Sequence, residues 1–176
     1  MDYIMNDTTL LWLDIETTGL NPSHHALLEV AMRATRADLE PYAEYHAVLA
    51  YNGVTDDFIR GMHGANGLLD ECAGPDALPF SQAIRGMRDF VDGLPDGEIV
   101  PAGSSVRFDR DWLDHISPSI LARCSHRSFD VSSMLIANRL WDGPDAPEKT
   151  TDHRAGHCLD DELNIARWLR DVIWAR

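Results

Sequence analysis

The order of segments along this 176-residue chain predicts an α/β fold. The expected architecture is a mixed five-stranded sheet, three antiparallel strands then parallel ones, flanked by helices. Two observations carry it. Three strand-like segments follow one another near the N-terminus, with connections too short for a crossover helix, which implies antiparallel pairing. Further on, strand-like and helix-like segments alternate, the mark of a parallel part covered by helices. With 44% hydrophobic residues, the chain can bury its core as one domain spanning 1–176.

Taken in order, residues 9–14, TLLWLD, form an apolar run too short for a helix and ending in an acid, which marks a buried strand. ALLEVAMRATRA (26–37) and YAEYHAVLA (42–50) read as the next two strands, joined by a turn near DLEP. Two short helices fill the region 55–75. SQAIRGMRDFVDGL (81–94) sets Ile84, Met87, Phe90, Val91 and Leu94 at the spacing of an amphipathic helix. GEIVPAGSS (97–105) reads as a strand running into a small-residue loop, and RFDRDWLDHI (107–116) as the helix after it. RSFDVSSMLIANRLW (127–141) begins as a short strand and becomes a helix. A Pro- and Gly-rich loop follows at 142–156, and residues 157–174 form the last helix.

Composition narrows the function. There is no apolar run of membrane-spanning length, and the N-terminus lacks a basic segment before its apolar part, so neither a membrane anchor nor a signal peptide is expected. Cys72, Cys124 and Cys158 are odd in number and widely spaced, which fits reduced thiols in the cytoplasm better than a disulfide framework. The net charge of −14, from 15 basic and 29 acidic residues, argues against holding a long duplex by phosphate neutralisation. It leaves room for a short nucleic acid at one metal-loaded site, because bound cations reverse the local field.

Three places carry acids suited to such a site. Asp14 and Glu16, two apart on the first strand, point to one side of it. Adjacent carboxylates repel unless a cation lies between them, and oxygen donors of this kind suit Mg²⁺ or Mn²⁺. As a bare pair at a strand end they need mean nothing. Asp109 opens the helix after the fourth strand, where the dipole favours a carboxylate in any case; if that strand ends beside the first, Asp109 approaches the pair. The stretch DHRAGHCLDDELNIARWL (152–169) supplies the third place. On a helix from 157, His157 neighbours both Asp160 and Asp161. Asp161 continues an apolar stripe through Ile165 and Leu169, whereas Asp160 leads to Asn164 and Trp168, so Asp161 is the expected inward residue. Four carboxylates, two cations and a histidine base make a set suited to phosphodiester hydrolysis.

At these residues the chain resembles a family. LLWLDIETTGL, AGSSVRFDRDWL and LDDELNIA are similar to the three motifs of the DEDD 3′→5′ exonucleases, which have a ribonuclease H-like fold. Within that superfamily the DEDDh oligoribonucleases are most similar: MHGANGL (62–68) resembles their H-x-x-S-G-L element with Asn66 for the serine, and HRSFDVSSM (126–134) their Y-R-Y-L-D-V-S-T segment. The likeness runs over residues 9–174. It implies that Asp14, Glu16, Asp109 and Asp161 hold two Mg²⁺ or Mn²⁺ ions per active site, with His157 as base. Leu20 would be the wedge between terminal bases, Phe58 the aromatic that stacks on a base, and Ser105 a lining residue. Arg127 and Ser132 would reach across a homodimer interface to the far phosphate. The implied substrate is the 3′ end of short single-stranded RNA.

One spacing departs from the family. Its third motif sets His five positions before Asp, but His157 is four before Asp161 and His153 is eight before it, with GHC standing between HRA and LDD. His153 therefore stays an alternative base and Asp160 an alternative ligand. The competing functions are a DNA-trimming or proofreading exonuclease and a non-catalytic nucleic-acid-binding module. A phosphatase that forms an aspartyl-phosphate is disfavoured, since Glu16 stands where D-x-D-x-T needs its second aspartate.

Overall fold

The structure, a computed structural model, describes residues 7–149 and 152–174. Residues 1–6, read above for a signal segment, and Thr150 and Thr151 of the Pro- and Gly-rich loop lie outside the described residues. The strands are β1 (Thr8–Thr17), β2 (Leu27–Thr35), β3 (Pro41–Val48), β4 (Glu98–Gly103) and β5 (Phe129–Asp130). They form one five-stranded sheet in the order β3-β2-β1-β4-β5. The first three pair antiparallel, and β4 and β5 add in parallel. This is the mixed sheet expected from the segment order.

The helices are α1 (Asp57–Ala65), α2 (Leu68–Cys72), α3 (Phe80–Asp92), α4 (Arg107–Ile116), α5 (Val131–Leu140) and α6 (Ala155–Trp174). Alternation along β1 explains why helices cover both faces. Leu11, Leu13 and Ile15 pack with Met87 and Val91 of α3 and Trp112 and Leu113 of α4. Trp12, on the other face, packs with Leu159, Leu163 and Leu169 of α6, and its Nε1 donates to Thr35 Oγ1 at 3.0 Å. Each fully buried leucine contributes about 1.5–3 kcal/mol, so a central strand apolar on both faces is held by both layers. No helix among the described residues is long and apolar enough to cross a membrane.

Most element ends move by one or two residues, and two of these shifts bear on the site. β1 extends to Thr17, because Ile15, Glu16 and Thr17 continue the ladder with β2. The last helix starts at Ala155, two residues earlier than expected. The cause is distant in sequence: the Ala155 N–H donates to Glu29 Oε2 of β2 at 2.9 Å, which starts the helix there.

Candidate active site

The site forms where β1 outruns its parallel neighbour. Pairing with β4 stops at Trp12, while pairing with β2 runs on to Thr17. Beyond Trp12 the strand has an open edge toward α4, and Asp109 fills it, its Oδ1 accepting the Ile15 N–H at 3.0 Å. Gly103 lets the strands pass closely, since a Cβ there would stand 2.9 Å from the Leu13 carbonyl oxygen. Asp14 and Glu16 share the Trp12 side of β1 and therefore look toward α6.

From α6, Cys158 and Glu162, one turn apart, meet them. The Cys158 thiol donates to Glu16 Oε1 at 3.9 Å, and ligand atoms of Asp14, Glu16 and Cys158 all lie within 4.8 Å of one another. Glu162 is 2% exposed; its Oε1 accepts the Ser104 N–H at 2.8 Å, and its Oε2 has no hydrogen-bond partner. The wholly buried His63 of α1 closes the other side, with Nε2 3.4 Å from Glu16 Oε2. Asp14 and Glu16 thus meet Cys158, with Glu162 and His63 nearby and Asp109 bonded to the next residue of β1, where the Asp14 charge reaches it.

Asp161 is buried, as the stripe through Ile165 and Leu169 requires, while the α6 donor that groups tightly with Asp14 and Glu16 is Cys158. Successive residues on a helix are about 100° apart, so a buried position on α6 need not be the one facing β1. Asp160 is exposed and pairs with Arg33 at 2.6 Å. His157 is 66% exposed, pairs with Asp152 at 3.0 Å, and lines a shallow pocket with Arg33, Tyr45 and His46 on the β2–β3 side. The charge of His153 reaches His63 and helps hold its pKa down, after burial. Asn66, from MHGANGL, fixes that stretch by donating to the Asp152 and His153 carbonyls at 2.9 and 2.8 Å.

An anchor ahead of α6 sets this phase. Arg154 donates to Glu29 and to Glu71 at 2.8–3.2 Å.

The electrostatics describe a site short of positive charge. Burial first, then Glu29, pushes Asp14 up to about 7. Burial, then Asp14 and Glu29, pushes Glu16 up to about 9. Glu162 rises to about 8 through burial and Asp14, and Asp109 stands well above the ordinary carboxylate range through burial, Asp14 and Glu162. Partial relief comes from the Cys158 thiol at Asp14, the Ser104 N–H at Glu162 and the Arg154 charge at Glu16, and then from Lys149, the sole lysine, whose charge acts on Asp14 and Glu162 and whose Nζ donates to Ser104 Oγ at 3.1 Å. Asp14 Oδ2 and Glu162 Oε2 are buried without partners. Converging acids with unpartnered oxygens fit a divalent cation, which would supply the missing charge.

No protein-family model matches the chain. The chain is 33% identical over 155 residues to the oligoribonuclease of Tropheryma whipplei, covering 83% of each. It is 31% identical over 175 residues to that of Thiobacillus denitrificans, covering 95% of this chain and 96% of the relative. The chain belongs to the oligoribonuclease family. It is a 3′→5′ exonuclease. Its fold matches solved structures of E. coli exonuclease I: with a dT13 oligonucleotide (TM-score 0.73, 14% identity), and in a zinc-bound form with single-stranded DNA (TM-score 0.69, 16% identity). This chain spans about two fifths of that larger enzyme, 41% and 42% in the two structures.

Against the oligoribonuclease pattern, the residues expected to touch substrate take these places. Leu20 and Phe58 are 82% and 73% exposed, so neither is a core residue. A groove lined by Thr18, His25, Tyr51 and Val54 lies between the loop after β1 and the segment leading to α1. Ser105 sits between β4 and α4 at φ 59°, and His153 precedes α6 at φ 61°. Backbone held in that region by non-glycine residues costs roughly 1–3 kcal/mol each and clusters at functional sites. Ser105 Oγ donates to Ser132 Oγ at 3.3 Å, and Ser104 shares a 2.8 Å bond with the same hydroxyl. Arg127 is exposed and in no ion pair among the described residues, while its backbone bonds Ser125 and Arg110. The sequence reading missed Cys158, Glu162, His63 and Lys149. Only the i, i+4 spacing of Cys158 and Glu162 could have flagged a shared face.

Proposed function

We propose that the protein removes nucleotides from the 3′ ends of short single-stranded oligoribonucleotides, with two divalent cations held at Asp14, Glu16 and Asp109. The observation that carries this reading is the group of buried acids whose charge the chain leaves largely unopposed. The oxygen donors suit magnesium or manganese. Bound there, the ions would supply a water of lowered pKa and neutralise charge on the leaving oxygen. Asp14 and Glu16 hold their carboxylates on one side of β1, and Asp109 is fixed by its bond from Ile15, so the acids are oriented before substrate arrives.

His153 takes the proton from the attacking water in this reading, and the support is its influence on His63, itself 3.4 Å from Glu16. Leu20 wedges between the terminal bases and Phe58 stacks on one, which tolerates any base. Ser105 and Ser132 line the path of the backbone. In this reading the active form is a homodimer, with Arg127 reaching the far phosphate of a partner's substrate. Ile136, Leu140 and Trp141, exposed on and just after α5, supply apolar area for such contact. Three free cysteines fit residence in the cytoplasm, and the whole chain acts as one exonuclease domain.

The test compares labelled RNA of two to five nucleotides with longer single-stranded DNA, with and without chelator. Metal-dependent turnover that is faster on the short RNA is expected. Faster cleavage of the long DNA would favour a DNA-trimming enzyme, and full turnover in excess chelator would overturn the metal reading. His153→Ala should cost far more turnover than His157→Ala; the reverse order would return the base to His157.

A further inference from the structure

The helix position that faces Asp14 and Glu16 carries sulfur. Cys158 Sγ lies 3.9 Å from Glu16 Oε1, and the donor atoms of Asp14, Glu16 and Cys158 lie within 4.8 Å of one another. The edge between sulfur and oxygen ligands around a tetrahedral ion with bonds of 2.0–2.3 Å is about 3.5 Å, so this group needs only a small contraction to close on a cation. Two further observations mark a ligand there. Glu162, 2% exposed, keeps Oε2 unpartnered one turn along α6 from Cys158. His63, with no exposed surface, turns Nε2 toward Glu16 at 3.4 Å.

We propose that the Cys158 sulfur is a ligand of the cation, making a mixed oxygen–sulfur site that takes soft divalent ions in preference to magnesium. The proposal rests on reading Asp14 and Glu16 as metal ligands and adds the third donor. Thiolate favours zinc and cadmium, whereas magnesium demands oxygen and near-ideal octahedral geometry. On binding, the S–H bond breaks, the sulfur keeps the electron pair that it shares with the ion, and the proton leaves to solvent. Cys72 and Cys124 are outside this group.

The experiment titrates Cd²⁺ and Co²⁺ into the metal-free full-length protein, reading sulfur-to-metal charge-transfer absorption together with calorimetric binding. The wild type should develop the band at one equivalent, Cys158→Ser should lose it, and Cys72→Ser and Cys124→Ser should keep it. Cys158→Asp should shift the ratio of Cd²⁺ to Mg²⁺ affinity at least tenfold toward magnesium, and thermal melts would confirm that each variant is folded. Cadmium binding of wild-type strength in Cys158→Ser, with no band in the wild type, would overturn the sulfur ligand and leave the carboxylate site standing. A wild type that binds no divalent ion, or an Asp14→Asn variant that binds as well as wild type, would remove the carboxylate site and the proposal together.

Discussion

Glu16 and Glu29 stand directly opposite each other on β1 and β2, and both are buried. Their environments are opposite in effect. Burial works against the charge of Glu29, but His46 at 2.7 Å, Arg154 and the Ala155 N–H outweigh it and hold the carboxyl down to about 2. Glu16 is also buried but has the charges of Asp14 and Glu29 beside it, and it rises to about 9. The difference lies in where the chain puts its cations. Arg154 is fully engaged at Glu29 and Glu71, which fixes a helix; Glu16 meets a thiol and a histidine whose pKa is held low. One carboxylate is a structural part with its counter-charge built in, and its neighbour is kept open for a counter-charge from solution.

Breaking the open side has the largest expected effect. Asp14→Asn should lower turnover by roughly 10³-fold, the loss of several kcal/mol of charge stabilisation, while raising the melting temperature of the metal-free protein at pH 9. Steady-state rates beside thermal melts check both halves, and an active variant would remove the assignment. On the closed side, Arg154→Met should cost about 3 kcal/mol in urea unfolding, because it strands a buried charge at Glu29.

The pH dependence sharpens the contrast further. Asp14, Glu162 and Glu16 keep protons up to about 7, 8 and 9 when folded, against ordinary values of 3.8 and 4.5. Folded-state values above the unfolded ones mean that the native state binds more protons, so stability falls as pH rises. Their contribution is complete near pH 4 and lost through pH 7–9. Glu29, lowered to about 2 from 4.5, has the opposite sign: its contribution is complete above pH 4.5 and lost as pH falls through about 2. Metal-free protein should therefore unfold at lower urea concentration at pH 9 than at pH 5, and saturating divalent cation should flatten that difference. The smallest effect is expected at the groove. Phe58→Ala should raise KM on a dinucleotide roughly tenfold, in line with about 1–3 kcal/mol of stacking per base. Its unfolding free energy should stay within about 0.5 kcal/mol, since the ring is exposed.

Local pattern was enough for most of the fold. The apolar run before Asp14, the amphipathic spacing of Met87 and Val91, and the small-residue end of β4 each carry their own period or punctuation. The two-residue spacing of Asp14 and Glu16 likewise fixes their shared side of β1. Exposure was less legible: Leu20 and Phe58 could have been core residues by composition alone, and their exposure follows from how the loops fold over β1 and α1.

What the sequence by itself determined, then, is the order of elements, the mixed sheet, and the acids of β1 and α4. The tertiary structure alone decided which face of α6 meets them. Counting along the stripe of Ile165 and Leu169 identifies Asp161 as buried, and it is. The rotation that turns Cys158 and Glu162 to the site depends on the anchor of Arg154 and Ala155 to Glu29, a contact between residues 125 and 126 apart. A helix repeat of 3.6 residues says which residues share a face, but only a long-range contact says which way that face points.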